Sequence, residues 1–218
     1  MATLRPAMNR PGILNNSHRP KPDESIGYTT VDEEATRKIH RLFELAASVD
    51  ATFREHSEHV ADLSVRVGQS LGLADEELEV LGLAAVVHDV GKLSIAPDVL
   101  AKPSALDDDE WKSMRAHPEA GAALLETCPA PAEVLEIVRS HHERWDGGGY
   151  PDGLAREEIP LGARIIAVVD SYCAMVESRP YRPPRRPANA RAELLAGAGT
   201  QFDAKCARAA YRLVAAID

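Results

Sequence analysis

The chain has little cysteine, few aromatic residues and no long apolar run. Cys128, Cys173 and Cys206 are its three cysteines among 218 residues, odd in number, widely spaced and without a C-x-x-C pair. That argues against a disulfide framework and a cysteine-ligated structural zinc, and fits a reducing, cytoplasmic compartment. The longest apolar runs, "LGLAAVV" before His88 and "IIAVV" before Asp170, fall far short of the ~18 residues that span a bilayer. No apolar core follows the first basic residues, so the N-terminus does not read as a secretory signal. Positive charge is scarce as well: 25 Lys and Arg stand against 34 Asp and Glu, a net charge of -9. A nucleic acid polymer is therefore excluded as the main partner, and a small anionic substrate would need a local positive site.

What remains is a chain with 44% hydrophobic and 5% aromatic residues, rich in alanine, which leans towards helices. Its length suits one domain. Residues 1–31 carry Pro, Asn and Gly without apolar periodicity and read as a flexible tail, followed by a domain over 32–218. Ile39, Leu42, Phe43 and Leu45 recur at helical spacing behind an acidic first turn. His56, Val60, Leu63, Val67 and Leu71 form the stripe of a second helix that Gly72 ends. "LADEELEVLGLAAVVHDVGK" places Leu78, Leu81, Ala85, His88 and Asp89 in line, on or beside one stripe. Further helices are read at "DDDEWKSMRA", at "PEAGAALLETC" with Pro118 in its first turn, at "PAEVLEIVRSHH", at "LGARIIAVVDSYCAMVE" and in two alanine-rich segments near the C-terminus. No strand or internal repeat is apparent, and the expected fold is an all-α bundle.

A core-facing carboxylate such as Asp89 demands a compensating partner. Alone, the His88–Asp89 pair is read more readily as a cap or an internal ion pair. It has company, however: His56 heads the preceding stripe, His117 sits at a helix junction, His141 and His142 close another helix, and Asp170 interrupts the Ile166, Val169, Cys173 face. Histidines and acids brought from several helices to core-facing or terminal positions are how bundles build metal sites, and this mixed donor set suits Fe, Mn, Co or Zn. Adjacent His141 and His142 point about 100° apart on a helix, so they serve different ions only near a helix end. The three glycines that follow allow close backbone approach or positive φ.

The motifs "HSEHVADL", "HDVGKLSIAPDVLAKP", "HPEAGAALL", "HHERWDGGGYPDGLAREEIPLGARIIAVVDSY", "SRPYR" and "GAGTQFD" run in order from about residue 50 to 205. The series resembles the HD-GYP family, a branch of the HD-domain phosphohydrolases that hydrolyse the bacterial second messenger cyclic di-GMP. The resemblance implies an HD-domain helical bundle with a glycine-rich GYP loop, and two divalent metal ions, Fe or Mn. His56, His88, Asp89, His117, His141, His142 and Asp170 match the family's metal ligands, with Asp89 bridging. Asp89 and Lys92 are the expected catalytic residues, Lys92 near the scissile phosphate. Gly149 and Tyr150, with Pro151, form the GYP loop, and Arg179 and Arg182 match residues that meet substrate phosphates. Two metals about 3.5–4 Å apart can clamp phosphodiester oxygens and activate water.

The implied reaction is hydrolysis of cyclic di-GMP to linear pGpG, with further cleavage to GMP left open. Hydrolysis of another cyclic dinucleotide or nucleotide stays open, as does a non-catalytic cyclic di-GMP sensor or interaction module, though the intact ligand set disfavours the last. Two positions depart from the family. Cys173 replaces the second aspartate of a DxxD pattern, and Thr52 stands where members with a three-metal centre carry glutamate one turn before the first histidine. Two ions and not three are therefore expected, with Asp50 the acid nearest that position. His59, three residues after His56, is the one rival ligand. Regulation is expected from a partner protein or from metal and redox state.

Overall fold

The structure, a computed structural model, describes residues 33–50, 52–177 and 183–217; the tail read at 1–31 lies outside them. The all-α expectation holds. Among the described residues ten α-helices follow in order: α1 (Glu33–Val49), α2 (Phe53–Leu71), α3 (Asp75–Val87), α4 (Pro97–Leu100), α5 (Asp108–Arg115), α6 (His117–Glu126), α7 (Ala132–Ser140), α8 (Leu161–Val176), α9 (Pro187–Ala196) and α10 (Ala204–Ala215). Short 3-10 turns at Val90–Ser94 and Arg156–Glu158 interrupt the series. Among the described residues, β-type pairing is confined to an isolated bridge between Ala198 and Phe202.

α2 lies at the centre, packed against α3, α8 and α10. His56, Val60, Leu63 and Val67 are all buried on it, as their spacing predicted, and Leu71 is partly buried. Gly72 ends α2 in the left-handed conformation, φ 85°, with its N–H on Gln69 O and the Leu73 N–H on Gly68 O, a Schellman cap. In α1 the apolar stripe runs through Ala35, Ile39, Phe43 and Ala46; Leu45, expected on it, is 52% exposed. Alanine fills the fourth-neighbour positions there, and Leu45 falls to one side of the stripe. The expected α3 helix also proves shorter than read. It stops at Val87, with His88 as its cap and Asp89 leading into the 3-10 turn.

That early stop positions the site. The 3-10 turn packs against α6 through Gly91 and Gly121, and a Cβ on Gly91 would stand 1.9 Å from the His117 carbonyl oxygen and 2.5 Å from Gly121 N. Both obstacles are backbone, so neither can rotate away. Asp89 lies two residues before Gly91 and Lys92 directly after it, and His117 opens α6, so this close approach brings three expected site residues together. Gly91→Ala is expected to destabilise the protein by about 2–3 kcal/mol through overpacking and to lower metal retention, as measured by urea unfolding and elemental content. Unchanged values for both would contradict this role of the glycine contact.

Candidate metal centre

Three of the expected ligands stand at helix ends. His88 follows α3, His141 follows α7, and His117 comes two residues after α5, at the start of α6. The last carbonyls of a helix have no partner within it. Each histidine uses one through its Nδ1: His88 on Ala85 O at 2.7 Å, His117 on Met114 O at 2.8 Å, His141 on Val138 O at 2.6 Å. A carbonyl oxygen can only accept, so each Nδ1 carries the proton. The neutral rings then present their Nε2 lone pairs to the interior. His56, from within α2, follows the same rule with a carboxylate, its Nδ1 donating to Glu177 Oε2 at 2.8 Å.

The inward atoms fall into two groups, Asp89 with His117, His141 and His142, and His56 with His88 and Asp170; within each, one ligand atom per residue lies within 4.8 Å of the others. Asp89 faces both. Its Oδ1 lies 3.2 Å from His117 Nε2 and 4.0 Å from His141 Nε2, and its Oδ2 lies 3.5 Å from His88 Nε2. His117 and His141 set their Nε2 atoms 3.2 Å apart with both Nδ1 protons committed elsewhere. In the neutral rings two lone pairs then face each other, an arrangement that a cation relieves. His88 Nε2 is buried without a hydrogen-bond partner, and so is His56 Nε2, which stands 3.1 Å from Asp170 Oδ1 but is not aligned for a bond. Unpartnered buried nitrogens beside two carboxylates are the donors a divalent ion takes, so this set fits metal. All seven expected ligands belong to one of the two groups.

Burial and charge tune these groups in opposite senses. Burial holds His88 and His141 below the usual imidazole range, and it pushes His142 down to about 4, helped by nearby His117. Burial also works against charge on His56, but Asp170 and Glu177 outweigh it and raise that ring to about 9. Burial would raise Asp89, yet Lys92, His88 and His117 hold it well below the ordinary carboxylate range. Lys92 Nζ donates to Asp89 Oδ2, placing the expected catalytic lysine against the central carboxylate.

The glycine loop closes the other side. A Cβ on Gly149 would stand 2.4 Å from Arg144 N and 2.5 Å from Glu143 Cα, so glycine serves close backbone approach there. Tyr150 packs its ring 5.0 Å from that of His142. Burial, with the nearby Asp89 charge, raises the Tyr150 hydroxyl to about 12, so it remains a donor at neutral pH. Trp145 packs the loop, its N–H on Gln201 O and its ring under the Arg164 guanidinium. Thr52 is exposed, and its N–H and hydroxyl both donate to Asp50 Oδ1, which turns that carboxylate oxygen towards Thr52. Arg179 and Arg182 lie outside the described residues.

Three residues escaped the sequence reading. Glu143 is buried and accepts from Asp152 N and Gly153 N at 2.7 and 2.9 Å, pinning the GYP loop beneath the centre. Arg115 lies 5.8 Å from the Tyr150 ring centroid and brings positive charge beside that ring. Glu177 joins His56 to His59, and the hydrogen bonds from those rings outweigh its burial and hold it at about 2. The available signal for Glu177 was its place two turns after Asp170 at the end of the same apolar helix.

The HD domain family model matches residues 41–206, and the chain belongs to the HD domain family. It is 40% identical over 184 residues to the cyclic di-GMP phosphodiesterase response regulator RpfG of Xanthomonas campestris pv. campestris, a match covering 83% of this chain and 48% of that protein. It is also 40% identical over 138 residues to a cyclic di-GMP phosphodiesterase of Thermotoga maritima, covering 62% and 38%, and 36% identical over 187 residues to the 3'3'-cGAMP-specific phosphodiesterase 2 of Vibrio cholerae, covering 84% and 35%. The chain thus spans less than half the length of each of these relatives. Among solved structures, the HDG"Y"P protein Bd1817 of Bdellovibrio bacteriovorus superposes with a TM-score of 0.64 at 18% identity, over 83% of this chain and 61% of that one. That likeness carries the fold, while the motif series read above is the HD-GYP one.

The depressed imidazoles set a pH dependence for the metal-free protein. A folded value near 4 for His142, against an ordinary 6.5, means that the unfolded chain binds its proton first on acidification. Stability is then complete above 6.5 and falls as pH drops towards 4. His88 and His141 shift in the same direction, and His56 works oppositely, chiefly between 6.5 and 9. Going from about pH 7 to about pH 5 is expected to cost on the order of 2 kcal/mol, read from urea midpoints of chelator-treated protein. Equal or greater stability at the lower pH would contradict the neutral-imidazole arrangement.

Proposed function

We propose that the chain is a metal-dependent phosphodiesterase of the HD-GYP branch that hydrolyses cyclic di-GMP to linear pGpG in bacterial second-messenger signalling, with further cleavage to GMP left open. The observation that carries this reading is the single carboxylate, Asp89, set between two groups of inward-facing donors. Two divalent ions, Fe or Mn, would be held by His56, His88 and Asp170 on one side and by His117, His141 and His142 on the other, with Asp89 shared. Bound there, such ions supply a clamp on phosphate oxygens and lower the pKa of water towards neutrality.

The chain's own residues do the rest. Lys92 lies beside Asp89 and offers its ammonium to the scissile phosphate. Tyr150 presents a protonated hydroxyl and a ring face to the bound dinucleotide, and Gly149 lets the backbone pass without obstructing it. Arg115, exposed beside Tyr150, adds charge at the entrance, and Arg179 and Arg182 are assigned to the distal phosphates through their planar forks. A net-acidic protein thereby keeps positive charge where an anion must dock. Relatives named for cyclic di-GMP and for 3'3'-cGAMP favour a second substrate reading, the mixed dinucleotide. The test is to incubate iron- or manganese-loaded protein, purified anaerobically, with a panel of cyclic dinucleotides and identify the products. Turnover of cyclic di-GMP supports the first reading, turnover of cGAMP alone the second, and binding without hydrolysis a sensor role.

Ligand and substrate residues separate in kinetics. His88→Ala and Asp89→Ala are each expected to lose bound metal and to lower turnover at least about a hundredfold, the upper end of what even an outer-shell loss costs. Full turnover in either variant would sink the metal mechanism. Arg179→Ala and Arg182→Ala are expected to raise KM about tenfold with little change in kcat, the mark of lost uniform binding. A fall in kcat alone would contradict that assignment.

A further inference from the structure

A third group of donors lies on the outer, Nδ1 side of His56, away from the centre that its Nε2 faces. α2 contributes His59, α8 contributes Cys173 and its C-cap residue is Glu177, and one ligand atom from each lies within 4.8 Å of the others. His59 Nδ1 stands 3.0 Å from Glu177 Oε1. Two donors bound about 2.0–2.2 Å from one ion at a tetrahedral angle are about 3.4 Å apart, so this hydrogen-bonded pair has to open by only a few tenths of an ångström to share one. Glu177 keeps its other oxygen on His56 Nδ1 at 2.8 Å, so an ion on Oε1 takes nothing from the inner centre. Cys173 is buried, whereas the side chains of His59 and Glu177 are 41% and 23% exposed, which leaves the group closed towards the core and open towards solvent.

We propose that His59, Cys173 and Glu177 form a separate outer site for a borderline-soft divalent cation of the zinc and cobalt class. One imidazole, one thiolate and one carboxylate make three protein ligands with a fourth position left for water or a ligand from outside. Thiolate selects against the hard ions magnesium, calcium and manganese, so this site and the all-nitrogen-and-oxygen centre differ in preference. Binding converts the Cys173 thiol to thiolate and releases its proton to solvent. The departure at Cys173 thus becomes a ligand, and the absence of glutamate at Thr52 does not bear on it, since Thr52 lies one turn before His56 and bonds Asp50. The site stands apart from the proposed catalysis: it holds whether or not the chain turns over a cyclic dinucleotide.

Sulfur gives the test its specificity, because none of the seven inner ligands is a cysteine. Chelator-treated protein comprising all 218 residues is titrated with cobalt(II) and followed for the intense thiolate-to-cobalt charge-transfer absorption. The band is expected to appear, to vanish in Cys173→Ser, and to require at least about tenfold more cobalt in His59→Ala, the lower end of what removing even an outer-shell partner costs. His59 is surface-accessible, so its variant keeps the test alive should Cys173→Ser fail to fold. No band at saturating cobalt, a band that survives Cys173→Ser, or an unchanged titration in His59→Ala would each overturn the proposal. Loss of inner-centre metal in His88→Ala with the band intact would show that the two sites fail independently.

Discussion

Every inward imidazole whose outer nitrogen has a partner is aimed by that partner. The protons on the Nδ1 atoms of His88, His117 and His141 are committed to carbonyls, and His56 is tied to a carboxylate. Fixing the far nitrogen fixes the ring plane, and for the three carbonyl-bound rings the tautomer, which leaves four Nε2 atoms directed at the two donor groups around Asp89 and Asp170. The cost is plain in the metal-free chain: buried nitrogens without partners, two of them turned towards each other, and imidazoles held below their usual range. Such an arrangement is costly to stability by itself and becomes favourable when cations fill it.

The backbone devices around the centre serve that aim. Helices α3, α5 and α7 stop where they do so that their last carbonyls are free to accept from a ring. The Gly91 contact lets the turn carrying Asp89 and Lys92 lie directly on the start of α6. Glu143 draws the loop after His142 inward through two backbone N–H groups, which sets Tyr150 over the site. Flexible loops would scatter these ligands, whereas helix termini packed in one core hold them to a fraction of an ångström.

Much of this is legible in the sequence itself. The helical stripes, Gly72 as a stop, and the seven residues that the fold gathers into two donor groups are readable from spacing and from the motif series, because helix periodicity and helix-end chemistry are local properties. Leu45 was misplaced because periodicity alone does not say which of two neighbouring stripes a partner covers; small alanines, not the larger leucine, meet the neighbouring elements. His88 and Asp89 were read in line on a helix that ends one residue earlier. Glu177 was missed because its partner His56 lies 121 residues away, a distance that no local pattern spans. Gly91 and Gly149 showed in sequence only as permissive residues; what they permit depends on backbone from other segments.

The most direct test is anomalous diffraction from crystals of the full chain soaked in manganese(II), a hard ion that the thiolate-containing outer site disfavours. Two peaks should appear about 3.5–4 Å apart with Asp89 across both, one bounded by the Nε2 atoms of His56 and His88 and the other by those of His117 and His141. A single peak, ions held through Nδ1, or manganese bound away from Asp89 would contradict the arrangement on which the rest depends.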